Sequence, residues 1–329
     1  MNEKRNESRK DWMRTFRRAC LVMSIAFEVL SVADHALATF PGDNGEIAYV
    51  RFLPRATSFS IRTVFPDGSP GRRLAPRNTS IDGEWSPDGT ALALHVIRGE
   101  ERIVLQDAAT AERTLIVRVN DVPGAEQFES IAFGPTGDAL LFCVRTGRSR
   151  TALYTVDADG SNLTAVSDRS DCYADWSSTN RIVATSRATG IVSRIVTMDP
   201  DGTDRLLVVS VPLGSLGEGL SVAPSWAPDG SVFVYAARTD PRSTSQDLYV
   251  VSGDGSGRTL LTGTGDTTES GPVFSPDGAK IVFVRSRGSA FDGSRSDLFI
   301  MRTDGSGVRR LTDTPKRNEF TRSWRSTLA

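Results

Sequence analysis

Histidine is scarce in this chain of 329 residues. The sequence contains two histidines, and only His95 lies beyond the first 38 residues. A metal site built on several imidazoles is therefore excluded. A Ser-His-Asp triad would have to use His95, and the sequence has no G-x-S-x-G turn to carry the serine. We interpret His95 as a strand residue with a polar partner.

An excess of charge of one sign is also lacking. The formal net charge is −1, which excludes a strongly basic nucleic-acid-binding protein as the default interpretation. No apolar run reaches the length of about 20 residues that spans a bilayer as a helix. A composition of 39% hydrophobic and 24% charged residues is instead typical of a folded globular protein.

The N-terminal segment has the three parts of a secretory signal peptide, in order. Residues 1–18 are basic, residues 19–32 are mainly apolar, and an Ala-Leu-Ala cleavage signal ends at residue 38. We therefore expect a signal peptide over residues 1–38 and an exported mature protein, whether secreted, periplasmic or associated with the cell envelope. The pair Arg17-Arg18 leaves the twin-arginine route open beside the general secretory route. An uncleaved membrane anchor is the other alternative.

Two cysteines, Cys143 and Cys172, follow the signal segment. Export makes a disulfide permissible, but the spacing of these residues does not require one. The sequence therefore leaves two alternatives, a Cys143–Cys172 disulfide and two buried free thiols.

A repeated phrase accounts for the rest of the chain: an aromatic residue, a small residue and then Pro-Asp-Gly. Two copies are degraded and the last is truncated. The copies begin at Trp85, Phe133, Trp176, Trp226, Phe274 and Trp324. Consecutive copies are 43 to 50 residues apart, which is the length of a propeller blade.

Each repeat predicts four antiparallel strands, A to D. Pro-Asp-Gly forms the tight A–B turn, and a second Asp-Gly hairpin such as Asp159-Gly160 precedes strand D. The N-terminus supplies strands B, C and D, whereas the C-terminus ends in an A strand around residues 323–328. We expect this last strand to complete the N-terminal blade and close the ring. Residues 40–45 are a rival for the A–B turn of that blade.

The predicted fold class is therefore all-β: one six-bladed β-propeller of four-stranded antiparallel blades over residues 39–329. These Trp-Ser-Pro-Asp-Gly units, with Asp-Gly hairpins and Leu-Thr strand ends, resemble the TolB-like (WD-like) propeller repeat. The resemblance implies the six-bladed fold. It also implies an additional α/β domain before the propeller, for which this sequence leaves no room. A propeller hosts binding modules and enzymes alike, so the resemblance does not specify the function.

Calcium is the one cofactor that the sequence leaves open. Asp157-Ala158-Asp159-Gly160 starts like a calcium loop, but its glycine is fourth rather than sixth and no glutamate stands at position twelve. Because Asp-Gly recurs in most repeats, we interpret it as hairpin chemistry and expect no cofactor. Calcium in stacked loops is the alternative.

The charges indicate where a ligand would bind. In an A-B-C-D meander the B–C and D–A loops lie together on one face, which we call the long-loop face, and the shorter turns lie on the opposite face, the turn face. Entries to the A strands are acidic and the B–C loops are rich in arginine. We expect the carboxylates to ring the central channel, with the arginines farther out. The candidate binding residues are Asp82, Glu84, Glu129, Asp171, Asp175, Glu269, Glu319, Arg98, Arg145, Arg187, Arg238 and Arg285.

Two functions remain open at this stage. The first is a monomeric, exported binding module that holds a protein, peptide or saccharide on the long-loop face, without evident catalytic machinery. The second is a hydrolase or lyase acting on a saccharide or lactone. Its acid–base chemistry would use paired channel carboxylates such as Asp82 with Glu84 or Asp171 with Asp175, with or without a divalent cation. Nucleic acid is not an expected partner, and no membrane span is expected once the signal is cleaved.

Overall fold

A computed structural model describes residues 39–53, 58–147, 150–187, 192–212, 223–238, 243, 245–287, 295–314 and 317–327. The predicted signal peptide, residues 1–38, lies outside the described residues. Within the described part of the chain, no helix is long and apolar enough to cross a membrane.

The described chain forms 24 strands and one short 3-10 helix, Val119–Asp121. In chain order the strands are β1 (Asp43–Leu53), β2 (Ser58–Val64), β3 (Pro70–Arg73), β4 (Ser80–Trp85), β5 (Ala91–Val96), β6 (Arg102–Asp107), β7 (Arg113–Arg118), β8 (Gln127–Phe133), β9 (Ala139–Arg145), β10 (Thr151–Asp157), β11 (Thr164–Ser167), β12 (Asp171–Trp176), β13 (Ile182–Arg187), β14 (Val192–Met198), β15 (Leu206–Pro212), β16 (Ser225–Trp226), β17 (Val232–Ala237), β18 (Asp247–Ser252), β19 (Thr259–Leu260), β20 (Thr267–Phe274), β21 (Lys280–Arg287), β22 (Ser296–Arg302), β23 (Arg309–Arg310) and β24 (Asn318–Thr327).

These strands form six four-stranded antiparallel sheets, and five of the sheets follow the chain order. Blade 2 is β4 to β7, blade 3 is β8 to β11, blade 4 is β12 to β15, blade 5 is β16 to β19 and blade 6 is β20 to β23. The first strand of each blade contacts the first strand of the next around the ring. These A strands are therefore the innermost strands, and the predicted six-bladed propeller is confirmed.

Blade 1 is assembled from both ends of the chain, in the order β24-β1-β2-β3. Strand β24 runs antiparallel to β1, from Asn318 opposite Phe52 to Thr327 opposite Asp43. The predicted closure is confirmed, although the closing strand begins earlier than the sequence indicated. Of the rival segment, residues 43–45 belong to β1 of blade 1, and the N–H of Gly42 donates a 3.3 Å hydrogen bond to the carbonyl of Pro276, next to blade 6.

The core lies between adjacent blades. In β5, Leu92, Ala93 and Leu94 are all fully buried, because neighbouring blades cover both faces of the sheet. A strand buried on both faces has a near-continuous apolar sequence instead of the alternation of a half-exposed strand. The same reason explains the apolar B strands of the other repeats.

The repeated aspartates serve the turns that connect these strands. In the hairpin of blade 4, the Asp201 carboxylate accepts hydrogen bonds from the main-chain N–H of Thr203 at 2.9 Å and from its hydroxyl at 2.6 Å. These bonds lower the pKa of Asp201. Asp159 makes the same kind of turn with Ser161. The hairpin interpretation of Asp-Gly therefore has a direct geometric basis.

The glycine of this hairpin also sets the distance between blades. Gly202 has a φ of +82°, and a Cβ there would lie 2.2 Å from the carbonyl oxygen of Val166 in the preceding blade. Only glycine combines this backbone conformation with so close an approach. The Asp-Gly phrase recurs because each hairpin packs against the blade before it.

Blades 3 and 4 are also joined covalently. Cys143 in β9 and Cys172 in β12 form a disulfide, with their Cα atoms 5.3 Å apart. Of the two alternatives that the sequence left open, the structure contains the bridge.

Candidate functional site

Three candidate acids lie near the long-loop ends of innermost strands, each paired with an arginine of the adjacent B strand. Glu319 Oε1 is 2.8 Å from Arg51 Nε, and the two residues are direct partners in the register of β24 and β1. Glu269 Oε1 is 2.9 Å from Arg285 Nε, again between register partners. The third pair, described next, belongs to blade 3. The antiparallel register therefore explains the pairs of blades 1 and 6.

The blade 3 pair joins Glu129 of β8 to Arg145 of β9. In this blade the register partner of Arg145 is Gln127, and an irregularity in the pairing lies at Glu129. Across the three pairs the carboxylate side chains are 0%, 0% and 1% exposed, whereas the arginine side chains are 16% to 25% exposed. The carboxylates are therefore buried anchors, not open channel groups. We call Arg51, Arg145 and Arg285 the anchored arginines.

Threonine hydroxyls complete the surroundings of these buried acids. Glu269 accepts hydrogen bonds from Thr264 at 2.9 Å and from Thr267 at 2.8 Å. Burial raises the pKa of Glu269, and the two hydroxyls and Arg285 oppose that rise. Glu319 likewise accepts a 2.9 Å hydrogen bond from Thr314. The arginine is thus held by a carboxylate that is itself fixed in position.

Arg285 has a second restraint from aromatic rings. Its guanidinium carbon lies 5.4 Å from the ring centre of Phe283 and 4.9 Å from that of Phe299. Such contacts stabilise a partly exposed cation by about 0.5–1 kcal/mol. Arg285 is therefore fixed in orientation by these contacts, and its side chain is 20% exposed.

The carboxylates nearer the centre of the molecule have structural partners. The Asp175 Oδ2 atom accepts a 2.6 Å hydrogen bond from the main-chain N–H of Trp226 in the next blade. The Ser323 hydroxyl likewise accepts a 3.0 Å hydrogen bond from the main-chain N–H of Trp85 in blade 2. These residues directly precede the aromatic residue of the repeat, so this position joins one innermost strand to the next.

Glu84 occupies the same position in blade 2 and is fully buried. Burial raises the pKa of Glu84 well above its ordinary value, and the negative charges of Asp175 and Asp82 raise it further. The main-chain N–H of Phe133 in the next blade is the group that favours its charged form. The charged form of Glu84 is therefore strongly disfavoured within the ring of innermost strands.

Asp82 is paired with an arginine that sequence reasoning missed. Arg322 of β24 is buried, and its Nε lies 3.0 Å from Asp82 Oδ1. The same guanidinium donates to the carbonyl of Ile81 at 3.1 Å and to that of Thr321 at 2.9 Å. Burial raises the pKa of Asp82, and Arg322 opposes the rise. This ion pair joins blades 1 and 2 at their innermost strands.

The remaining candidates are dispersed. Asp171 is fully buried and pairs with Arg205 at 2.9 Å. Arg98 is exposed and Arg238 is partly buried. Arg187 ends β13, but its side chain lies outside the described residues. His95 is buried, with Nε2 3.1 Å from Glu101 Oε2, which agrees with its interpretation as a strand residue.

Acid–base catalysis would require carboxylates that a substrate can reach. Asp82, Glu84, Asp171 and Asp175 are each 0% exposed. The structure therefore does not present either proposed pair to solvent. Within the described residues, no group of three or more His, Cys, Asp or Glu side chains is arranged to hold a metal ion.

A small cavity of about 80 Å³ lies between blades 1 and 2, where the hairpin of blade 2 departs from the Asp-Gly pattern. Residues 107–110 read Asp-Ala-Ala-Thr, and Arg72 donates a 3.1 Å hydrogen bond to the carbonyl of Ala108. An arginine thus bridges the blades where other blades use a close glycine. The cavity is lined by Arg72, Arg73, Leu74, Trp85, Leu92, Gln106, Ala108, Ala109 and Ala111.

Arg51 and Arg322 could not be found by looking for charges in loops, because both lie within strands. Glu319 and Glu269 stand at the same distance before their aromatic residues, Trp324 and Phe274. Aligning the repeats at those aromatic residues shows that Glu319 corresponds to Glu269, and this correspondence could have indicated Arg51 as the counterpart of Arg285. No comparable signal indicated Arg322.

Comparison with known proteins adds a family and several relatives. The family model described as TolB beta propeller domain (PD40) matches residues 37–269. The Tol-Pal system protein TolB of Anaeromyxobacter dehalogenans (strain 2CP-C) is 32% identical over 189 residues. That match covers 55% of this chain and 39% of the relative, so the chain matches about two fifths of the relative's length.

Solved structures show the same fold at low sequence identity. TolB from Acinetobacter baumannii superimposes with a TM-score of 0.66 at 22% identity, covering 87% of this chain and 68% of that protein. A chain of the nidogen/laminin complex has a TM-score of 0.64 at 11% identity, covering 86% of this chain and 99% of that one. At these identities the likeness concerns the fold alone.

Proposed function

Because this chain belongs to the TolB β-propeller family, we propose that it is an exported binding module that holds an acidic segment of a protein or peptide on its long-loop face. Export is supported by the signal-peptide pattern of residues 1–38. The disulfide between Cys143 and Cys172 is compatible with an oxidising compartment.

The anchored arginines are the observation that carries the proposal. Arg51, Arg145 and Arg285 stand on three different blades near the same face, each held by a buried carboxylate and each with a partly exposed side chain. A guanidinium presents planar donors that match a carboxylate. Groups fixed in advance lose little conformational entropy when a partner binds.

A protein or peptide fits this face better than a saccharide. Sugar-binding surfaces commonly use exposed aromatic rings, which bury large areas at small entropic cost. The tryptophans of the described chain, Trp85, Trp176, Trp226 and Trp324, are at most 7% exposed. The described tryptophans therefore provide no open stacking platform, whereas the arginines suit carboxylate groups.

The experiment uses the mature chain, residues 39–329, as an affinity bait in an extract of the exported compartment of its source cells. The variants replace both members of a pair, Arg145→Gln with Glu129→Gln, or Arg285→Gln with Glu269→Gln. Removing both partners avoids the cost of about 3–5 kcal/mol for leaving a buried carboxylate unpaired. Each variant is expected to weaken the captured partner's affinity by about tenfold or more.

The matched control is a pair near the turn face, Arg181→Gln with Asp199→Asn. Arg181 follows the A–B turn, its side chain is 26% exposed and its Nη1 contacts Asp199. Arg181 has the chemistry and partial exposure of the anchored arginines but not their location, and its partner Asp199 is 42% exposed instead of buried. Unchanged affinity in both long-loop variants, or an equal loss in the control, would contradict the proposed face.

A further inference from the structure

The segment of residues 47–81, most of which belongs to blade 1, is rich in positive charge. Residues 47–81 contain six arginines and one acid, Asp67, in a protein whose overall net charge is −1. Asp67 is engaged by its own turn, where it accepts hydrogen bonds from the main-chain N–H of Ser69 at 2.8 Å and from its hydroxyl at 2.6 Å. The acid of this segment therefore does not neutralise the arginines.

Two of the six arginines have carboxylate partners elsewhere. Arg51 pairs with Glu319 at 2.8 Å, and Arg72 approaches Glu46 at 3.4 Å. Arg55 lies outside the described residues. The other three, Arg62, Arg73 and Arg77, make no salt bridge with any residue that the structure describes. We call these three the unpaired arginines.

The sheet register brings two of the unpaired arginines, Arg62 and Arg73, together. Arg62 of β2 is the direct partner of Arg73 in β3 and of Tyr49 in β1. Direct partners on antiparallel strands have Cβ atoms about 5 Å apart on the same face, where like charges repel. Arg77 lies in the loop that follows β3 and is exposed.

Arg62 lies partly inside the protein without a compensating acceptor. Its Nε atom is buried and has no hydrogen-bond partner among the described residues. Burial lowers the pKa of Arg62, and the positive charges of Arg51, Arg73 and Arg77 lower it further. A buried donor without an acceptor destabilises a fold unless water or a ligand satisfies it.

We propose that Arg62, Arg73 and Arg77 form a binding site for a doubly charged oxyanion, such as a phosphate group. Three unpaired guanidinium groups balance a dianion better than a single carboxylate, and the fork of each guanidinium fits two oxygens of a tetrahedral anion. The oxyanion also provides the missing acceptor for Arg62 Nε. The site adjoins one anchored arginine, Arg51, whose charge also lowers the pKa of Arg62. It uses neither Arg145 nor Arg285, the arginines replaced in the test of the long-loop face, so the two proposals are tested independently.

The test is calorimetric titration of the mature chain with inorganic phosphate, with sodium chloride of matched ionic strength as the background. We expect saturable phosphate binding to the wild type, and at least about tenfold weaker binding to Arg62→Gln/Arg73→Gln. Arg77→Gln, in an exposed loop, repeats the test without changing the sheet. Arg169→Gln is the matched control, because Arg169 is an exposed arginine in the corresponding loop of blade 3.

Three results would overturn the proposal. The first is phosphate binding that is absent above the chloride background. The second is equal phosphate affinity in the wild type and in both blade 1 variants. The third is acetate binding as tight as phosphate binding, because the site requires a dianion. None of these measurements uses a protein partner, so each leaves the test of the long-loop face unaffected.

Discussion

At the scale of single residues, a buried carboxyl group such as Glu84 has acid–base properties set by its place in the ring of innermost strands. Burial and the charges of Asp175 and Asp82 both disfavour its ionised form. Asp175 joins blades 4 and 5 through the main-chain N–H of Trp226, whereas both carboxyl oxygens of Glu84 are buried without a hydrogen-bond partner among the described residues. Burial therefore governs the acid–base behaviour of Glu84, while Asp175 serves the fold.

The replacement Glu84→Gln tests this account through pH. In the unfolded chain Glu84 has the ordinary carboxylic pKa of about 4.3, and in the folded protein its pKa is raised. At pH values between these two pKa values the folded state binds more protons than the unfolded state, so the free energy of unfolding falls as pH rises. At high pH, each unit by which folding raises the pKa of Glu84 lowers the free energy of unfolding by about 1.4 kcal/mol. We expect urea unfolding to find Glu84→Gln more stable than the wild type at pH 8, with the advantage vanishing near pH 4.

Glu112→Gln is the control for that measurement, because Glu112 is exposed. It is expected to leave the pH dependence of stability unchanged. If Glu84→Gln changed the stability by the same amount at pH 8 and pH 4, the pKa of Glu84 would be the same in the folded and the unfolded protein, and the account of its burial would fail.

At the scale of elements, the hairpin glycines determine how closely consecutive blades pack. Five of the six C–D hairpins carry a glycine with positive φ next to the preceding blade, at Gly68, Gly160, Gly202, Gly255 and Gly305. At Gly160, a Cβ would lie 2.7 Å from the carbonyl oxygen of Ile116. The blade 2 hairpin lacks this glycine, and Arg72 bridges that interface instead.

Gly202→Ala and Gly124→Ala separate the effect of the positive-φ backbone conformation from the effect of the close approach to the preceding blade. Both glycines have positive φ, +82° and +71°, but a Cβ at Gly124 would have no neighbour within 4 Å. Gly124→Ala is expected to cost about 1–2 kcal/mol for the backbone conformation alone. Gly202→Ala adds a clash with the Val166 carbonyl and should cost at least about 1 kcal/mol more. If thermal unfolding showed the same loss of stability in both variants, the close packing of this hairpin would make no contribution to stability.

Strand order and blade number could be predicted from the sequence because the signal is local and repeated. Trp85, Trp226 and Phe274 open the same turn, and the six copies of the phrase recur every 43 to 50 residues. Side-chain pairing could not be predicted in this way. The pair of Arg322 with Asp82 joins residues 240 positions apart, and only the closed ring brings them together.

At the scale of the whole molecule, closure produces two faces of different character. The turn face is built from hairpins whose aspartates are committed to their own turns, as Asp201 is to Thr203. The long-loop face holds arginines from separate blades on buried carboxylates, as Arg285 is held on Glu269. This difference supports the proposal that partners bind on the long-loop face, while the hairpins of the turn face pack the blades together.

Hydrogen exchange of the mature chain, with and without its captured partner, tests the central claim most directly, because it reports which face is covered. We predict slowed exchange in peptides that contain Arg51, Arg145 and Arg285, with no change in the Pro-Asp-Gly turns at residues 87–89 and 276–278. Slowed exchange confined to those turns, with the anchored arginines unaffected, would contradict the account.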